Sequence, residues 1–368
     1  MISPKLFRKD VPHKKLGDIV IFLDHIRKPI TTSDRVAGLI PYYGANGIQG
    51  YVKDFLFDED LVLLAEDGGH FEDADRGVAY KVSGKTWVNN HAHVLRPTKN
   101  INVDYLFRVL QNLDLTAYIN GTTRAKLTKA NAARIEIPLP PLAEQQRIAE
   151  LLDTADRILK LRESALAKLD QLAQSVFVDM FSNCTNFESI KSVVLKKKIS
   201  QPDVNQHVWS LSLDQIESDT GNLQNKVMVE FKKLGSSTYF FEPPVILYSK
   251  LRPYLNKVLM PTDCGYATTE LVPLYCNEKK VLPIYLLSVL RSKKFVEFAN
   301  INSGGAKMPR VIMDKFWDYE FAVPSIQQQQ KYADFFTLIL NQKRHCLNAY
   351  TLNQALLSSL QHQSFAVN

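Results

Sequence analysis

The stretch that decides the reading is IEIPLPPLAEQQRIAELLD, residues 135–153. A short β-prone run (Ile135, Ile137, Leu139) meets Pro138, Pro140 and Pro141, and a helical pattern starts at once. Proline breaks helix interiors but is tolerated at a first turn, where the missing N–H would have had no partner. Glu144 falls in that turn, where a carboxylate suits the helix dipole. The segment therefore predicts a stiff corner between a globular unit and a long helix.

The same pattern returns in YEFAVPSIQQQQKYADFF, residues 319–336. Pro140 falls on Pro324, Leu142 on Ile326, Gln145 and Gln146 on Gln329 and Gln330, and Glu150 on Asp334. Upstream, GTTRAKL from Gly121 matches SGGAKMP from Ser303, which sets Lys126 opposite Lys307. A repeat of roughly 180 residues is far longer than the about 20–50 of solenoids. The expectation is one domain design, with its own helix, present twice.

From Ile148 the apolar positions run Leu152, Ala155, Leu159, Arg162, Leu166, Leu169, Ala173, Val176 and Met180, alternating steps of four and three. That is a heptad seam, and a helix of ~40 residues would be ~60 Å long. Such a stripe needs a partner. The second helix offers Phe335, Phe336, Leu338, Ile339, His345, Cys346, Ala349, Leu352, Leu356 and Leu360, interrupted by Gln342, Lys343 and Asn353. The two helices are expected to pair antiparallel.

Around them the chain reads as short strands cut by turns, among them residues 18–23, 87–95 and 266–275, with one helix-like piece in each half (residues 103–110 and 282–290). The expected fold class is α+β: two similar globular domains separated by long, antiparallel paired helices, an internal pseudo-two-fold repeat. The expected divisions are 1–141, 142–182, 183–324 and 325–368.

Composition bounds the function. The 368 residues carry a formal charge of +7, with 45% hydrophobic and 23% charged residues. A basic balance favours a polyanionic partner without fixing the fold. Cys184, Cys264, Cys276 and Cys346 lack any CxxC spacing, which argues against a zinc or disulfide scaffold and fits a reducing cytoplasm. No apolar run approaches the ~18 residues of a membrane span, and MISPKLFRKD has no apolar signal core, so a cytoplasmic protein without membrane contact is expected.

Two loops have the makeup of ligand contacts. PYYGANGIQGY, residues 41–51, combines glycines with Tyr42, Tyr43, Asn46 and Gly47, offering close backbone approach, aromatic faces and an amide able to read adenine. It could equally be a β-turn whose tyrosines cap the core. LYSKLRPYLNKV, residues 247–258, interleaves Ser249, Lys250, Arg252, Tyr254 and Lys257, and its arginine could fork onto guanine. The alternative is a solvated basic loop. Thr122, Arg124 and Lys126 in one Gly/Ser phrase, with Lys307 and Arg310 in the other, suggest phosphate-binding turns. Lys191 and residues 196–198 form a further basic cluster.

Enzyme readings find little support. Glu242-Pro243-Pro244-Val245 lacks the first and last residues of the Asn/Asp-Pro-Pro-aromatic signature of amino-methylating enzymes. His91 and His93 could join Asp67 or His70 at a metal, but ordinary surface or core histidines account for them as well. The acidic run Glu66, Asp67, Glu72, Asp73 and Asp75 comes without a nuclease core, and no P-loop is present.

Taken together, IPLPPLAEQQRIAELLD, its second copy, PYYGANG and LYSKLRPYLNK make the chain resemble the specificity subunit of type I restriction–modification systems. The resemblance implies two target-recognition domains that read the halves of a bipartite, asymmetric sequence in double-stranded DNA. It implies helices that set the unread spacer and dock two modification subunits, with S-adenosylmethionine bound there and no cofactor or catalytic residue in this chain. Restriction subunits would join for ATP-dependent cleavage. Two other classes compete: a stand-alone DNA methyltransferase or nuclease, and an interaction scaffold that does not bind DNA.

Overall fold

A computed structural model describes residues 10–71, 77–120, 125–197, 199–201 and 207–365. The chain divides into two compact units, Met1–Glu163 with Asn348–Asn368, and Ser164–Leu347.

In the first unit the order is β1 (His13–Lys15), α1 (Leu16–Ile19), β2 (Val20–Phe22), β3 (Ile40–Gly44), β4 (Gly47–Val52), β5 (Phe57–Asp58) and β6 (Leu61–Ala65). Then come β7 (Ala79–Val82), β8 (Lys85–Val88), β9 (Ala92–Pro97), α2 (Val103–Asn112), α3 (Lys129–Ala132), β10 (Glu136–Pro138) and the start of α4 (Leu142–Phe181). Strands β2-β9-β6-β7 form one sheet and β4-β3-β8-β5 another, with β3 and β8 parallel. Strand β6 is buried along its whole length because both its faces are covered. Val62 and Leu64 point into a core shared with Leu106 and Val109 of α2, whereas Leu61 and Leu63 point to the second sheet, against Phe57 and Val88. A strand covered on both faces reads as a continuous apolar run, as LVLLA does.

The second unit repeats this plan. Its elements are β11 (Phe187–Ser189), α5 (Ile190–Val193), β12 (Val194–Leu195), β13 (His207–Leu211), β14 (Met228–Glu230), β15 (Thr238–Phe241) and β16 (Ile246–Ser249). They continue with β17 (Val258–Leu259), β18 (Gly265–Thr268), β19 (Leu271–Cys276), α6 (Pro283–Arg291), α7 (Lys293–Ile301), β20 (Ser303–Gly304) and β21 (Arg310–Val311). Last are α8 (Met313–Trp317), β22 (Glu320–Ala322) and α9 (Ile326–Phe365). The sheets β12-β19-β16-β17 and β14-β13-β18-β15 reproduce the strand orders of the first unit, including the parallel pair, here β13 and β18. Ile246 and Tyr248 face the helical core while Leu247 faces the second sheet.

Some strand expectations were too long. Residues 87–95 are two strands with a turn at 89–91, and residues 266–275 likewise break at 269–270. The expected strand at 18–23 begins as the short helix α1, and PYYGANGIQGY is mostly the β3–β4 hairpin, with only Ala45 and Asn46 at its tip.

The corner motif has a defined physical role. Gln145 is buried; its Nε2 donates to Asn100 O (3.2 Å) and Pro140 O (2.8 Å), and its Oε1 accepts from Asn102 N at 2.9 Å. Gln329 does the same with Lys280 O and Pro324 O, both at 2.9 Å, and Leu282 N at 2.8 Å. Asn102 and Leu282 are the N-caps of α2 and α6, so each glutamine ties the start of a helix to the proline corner. The following glutamines lie outside: Gln146 bonds Glu150 and Gln330 bonds Asp334 one turn on.

Every residue of the seam named on α4 is buried or half-buried, while Leu161, Leu172 and Val178 face solvent. On α9 the covered stripe differs from the expected one. It runs Tyr332, Phe336, Ile339, Lys343, Cys346, Tyr350, Asn353, Leu357 and Leu360, a regular heptad, and leaves Leu338 and Leu352 at 68% and 70% exposure. Polar residues sit on the seam because they are partnered there. In the second unit Lys343 Nζ lies 2.6 Å from Asp170, and Tyr332 packs on Phe177. In the first, the Tyr350 hydroxyl donates to Glu163 at 2.5 Å, and Phe365 joins the core of Ile148 and Leu152. Within each unit the helices thus run antiparallel. Among the described residues, no helix is long and apolar enough to cross a membrane.

Candidate nucleic-acid interface

At one end of the sheets in each unit, loops from distant parts of the chain meet on the same backbone frame. In the first unit Glu66, just after β6, donates its N–H to His91 O (2.9 Å) and accepts on its own O from Leu127 N (2.7 Å). Asp67 and Lys126 form a bridge, and Asn46 at the hairpin tip donates its side-chain amide to Gly68 O at 3.1 Å. In the second unit Lys250 N donates to Glu270 O (3.0 Å), Lys250 O accepts from Val311 N (2.9 Å), and Leu251 bridges Arg310. Arg252 N is held by Pro309 O at 2.7 Å, and Lys257 Nζ donates to Leu213 O at 2.7 Å.

These bonds correct the pairing of the Gly/Ser phrases. Lys126 corresponds to Arg310, not Lys307, at the same spacing that separates Gln145 from Gln329. Matching lysine to lysine shifts the phrases by three residues and puts the backbone bridge out of register. On the corrected frame Glu66 answers to Lys250, Asp67 to Leu251, Gly68 to Arg252, and His91 to Glu270. The backbone is the same and the side chains are different.

The electrostatics differ accordingly. In the first unit Asp24, Glu66 and His93 bring their ligand atoms within 4.8 Å of one another, an arrangement that could hold a cation. A guanidinium already serves it: Arg27 lies 2.7 Å from Glu66 and 3.5 Å from Asp24, and Lys126 is 3.3 Å from Glu66. Burial alone would raise the Asp24 carboxyl, but bonds from His93 (2.7 Å) and Val94 N (3.0 Å), with the nearby positive charges, hold it below its ordinary range. His93 is buried, and its Nε2 faces Leu127 O at 2.8 Å, which fixes the ring between two oxygen acceptors. His91 instead faces Asp67, so the two histidines do not converge on one site. In the second unit Arg310 forks onto Glu270, its Nη2 at 2.8 Å, and this pair holds the Glu270 carboxyl below its usual range.

The sequence-predicted contacts sort themselves by exposure. Tyr42 is a core residue, 1% exposed, with its hydroxyl on Ile30 N and the Arg35 guanidinium 4.3 Å from its ring centre. The aromatic face expected there for a ligand is covered by protein. Tyr43 is half-buried, and Asn46 is exposed at the tip. Gly47 is buried at φ +86°, with the Tyr80 ring 3.2 Å from where a Cβ would stand, so it shapes the turn and cannot touch a ligand through a side chain. Ser249 is also buried, its hydroxyl on Leu251 O. Lys250 and Lys257 are half-buried, and Arg252, Tyr254, Lys307 and Arg310 are exposed. The structure therefore brings Lys250, Arg252 and Arg310 to one edge. Thr122, Arg124, Lys198, Glu72, Asp73 and Asp75 lie outside the described residues. Lys191 and Lys197 pair with Asp318 and Glu242.

Residues 8–171 match the family described as the type I restriction modification DNA specificity domain. That match covers somewhat less than half of the chain. Over 144 residues the chain is 40% identical to a putative type I restriction enzyme specificity subunit of Haemophilus influenzae, covering 39% of this chain and 37% of that one. Over 120 residues it is 28% identical to the EcoprrI specificity subunit of Escherichia coli, covering 33% and 29%. The matched stretches thus span about a third of those relatives' own lengths. A crystal structure of a type I system S subunit from M. genitalium covers all of both chains with a TM-score of 0.66 at 12% identity, a likeness of fold. That likeness of fold extends over both units of the chain.

Proposed function

We propose that the chain is the DNA sequence-specificity subunit of a type I restriction–modification complex, reading a bipartite, asymmetric target with its two units. One observation carries this: the same loop frame is built twice, with different side chains at matching positions. Two similar frames with equal side chains would read a symmetric target; diverged ones read unlike half-sites. Methylation and cleavage belong to partner subunits on this reading. Two modification subunits, which would hold S-adenosylmethionine, dock on the long helices, and restriction subunits complete the assembly in the cytoplasm. The exposed Leu161, Leu172, Val178, Leu338 and Leu352 supply apolar helix surface for such docking.

The test is to purify the full chain with its modification subunits and select bound duplexes from a randomised pool. Enrichment of two unlike sequence blocks at fixed separation is expected. Binding that ignores sequence, or no binding at low salt, would overturn the proposal.

A further inference from the structure

Position 252 has a left-handed backbone. Arg252 sits at φ 50°, ψ 64°, followed by the short turn Pro253–Leu255 and by Asn256, also left-handed at φ 48°. L-residues with a Cβ are disfavoured there, and glycine is the usual occupant. The other copy of the frame has that glycine: Gly68, at the matching position, adopts φ 68°. An arginine thus stands where the fold itself asks only for glycine.

The backbone of this turn is tied down. Arg252 N donates to Pro309 O, Leu255 N to Arg252 O, and Asn256 N to Pro253 O at 3.0 Å, while Pro253 is buried. The side chain is free by contrast: Arg252 is exposed, and among the described residues no carboxylate lies within ion-pair distance of it. Neighbouring Arg310 has its fork taken up by Glu270. A residue held in a strained conformation, on a fixed base, with an unengaged guanidinium, fits a contact that needs a defined origin and direction.

We propose that Arg252 is a specificity-determining residue, through which the second unit reads the O6/N7 edge of one guanine. This deepens the DNA-recognition reading and rests on it. A phosphate contact would need only a nearby positive charge, which Lys307 on its exposed loop could equally give; the planar fork of arginine is matched to the O6/N7 edge of guanine. The first unit, with Gly68 at this place, makes no such contact.

The experiment selects duplexes from a randomised pool with the full chain in complex with its modification subunits, comparing wild type with Arg252→Lys, Arg252→Gly and Arg252→Ala. Wild type is expected to demand guanine at one position of one half-site by about 10–100-fold. The glycine and alanine variants should lose that demand there, the lysine variant should weaken it, and the other half-site should stay unchanged in all three. The Arg252→Gly chain should melt at or above the wild-type temperature, because the strain is relieved. Glycine and alanine variants that keep the guanine would show that another group reads it, and variants weakened equally on all sequences would show a phosphate contact; either result overturns the inference. A lower melting temperature for Arg252→Gly would show that the side chain serves the fold, and would also overturn it. If wild type selects no sequence at all, the functional reading itself fails, and this inference with it.

Discussion

Replacing Gln329 by glutamate changes one NH₂ group to one oxygen and should be among the costliest isosteric changes in the second unit. Gln329 is 0% exposed, and its Nε2 donates to two carbonyl oxygens at 2.9 Å. An ionised carboxylate would face both carbonyls without water, so the folded chain would keep the group protonated. Holding a carboxyl of ordinary pKa ~4.3 neutral at pH 7 costs about 3.7 kcal/mol, since each pKa unit is about 1.36 kcal/mol. The protonated form can donate to only one of the two carbonyls, and the lost bond adds about 1 kcal/mol. The expected destabilisation is therefore ~4–5 kcal/mol at pH 7, read from urea unfolding followed through the second unit. The sign with pH is definite. A carboxyl raised in the fold is penalised most above the folded value, and the penalty shrinks as pH falls towards its unfolded value. At pH 4.5 most of the difference from wild type should vanish. A Gln329→Glu chain within 1 kcal/mol of wild type at pH 7, or one whose deficit does not change with pH, would refute the role of this glutamine as a double donor. Gln145→Glu should do the same to the first unit.

Other consequences are open to measurement. Lys343→Leu removes a charge from the covered seam and leaves Asp170 half in solvent, so thermal melting should show a neutral change or a gain of about 1 kcal/mol; a loss above 2 would mean the ion pair is needed. Gly47→Ala forces a Cβ against the Tyr80 ring at positive φ and should cost about 1–2 kcal/mol in chemical denaturation, whereas an unchanged midpoint would show that the hairpin tip yields. Asp24 is depressed in the fold, so its contribution is full above its unfolded value near ~3.9 and is lost as pH falls through the folded one. Asp24→Asn should accordingly be less stable than wild type at neutral pH, with the gap closing in acid; parallel curves would contradict this.

The duplication and the corner were legible because they rest on sameness: prolines and glutamines recur at fixed spacing, and the α4 seam is apolar except at Arg162. The α9 seam was not, because Lys343, Tyr350 and Asn353 lie on its covered face, two of them held by partners on α4 that no periodicity within α9 can show. For the same reason the site was only half visible. A repeat search finds what two copies share, whereas the positions that distinguish them, Glu66 and Lys250 or Gly68 and Arg252, are those where they differ. Tyr42 looked like a ligand contact because aromatic residues beside glycines suit both a binding loop and a hairpin over a core; only burial separates the two.

The two buried glutamines also bear on how such a protein can change over generations. Their partners are all main-chain atoms: Asn100 O, Asn102 N and Pro140 O in one unit, Lys280 O, Leu282 N and Pro324 O in the other. A joint that grips only peptide groups is indifferent to which side chains surround it. The body on one side can then drift, or be replaced wholesale by recombination, while the helix is still seized in the same way. New binding preferences can be tried on an old chassis without renegotiating its joints.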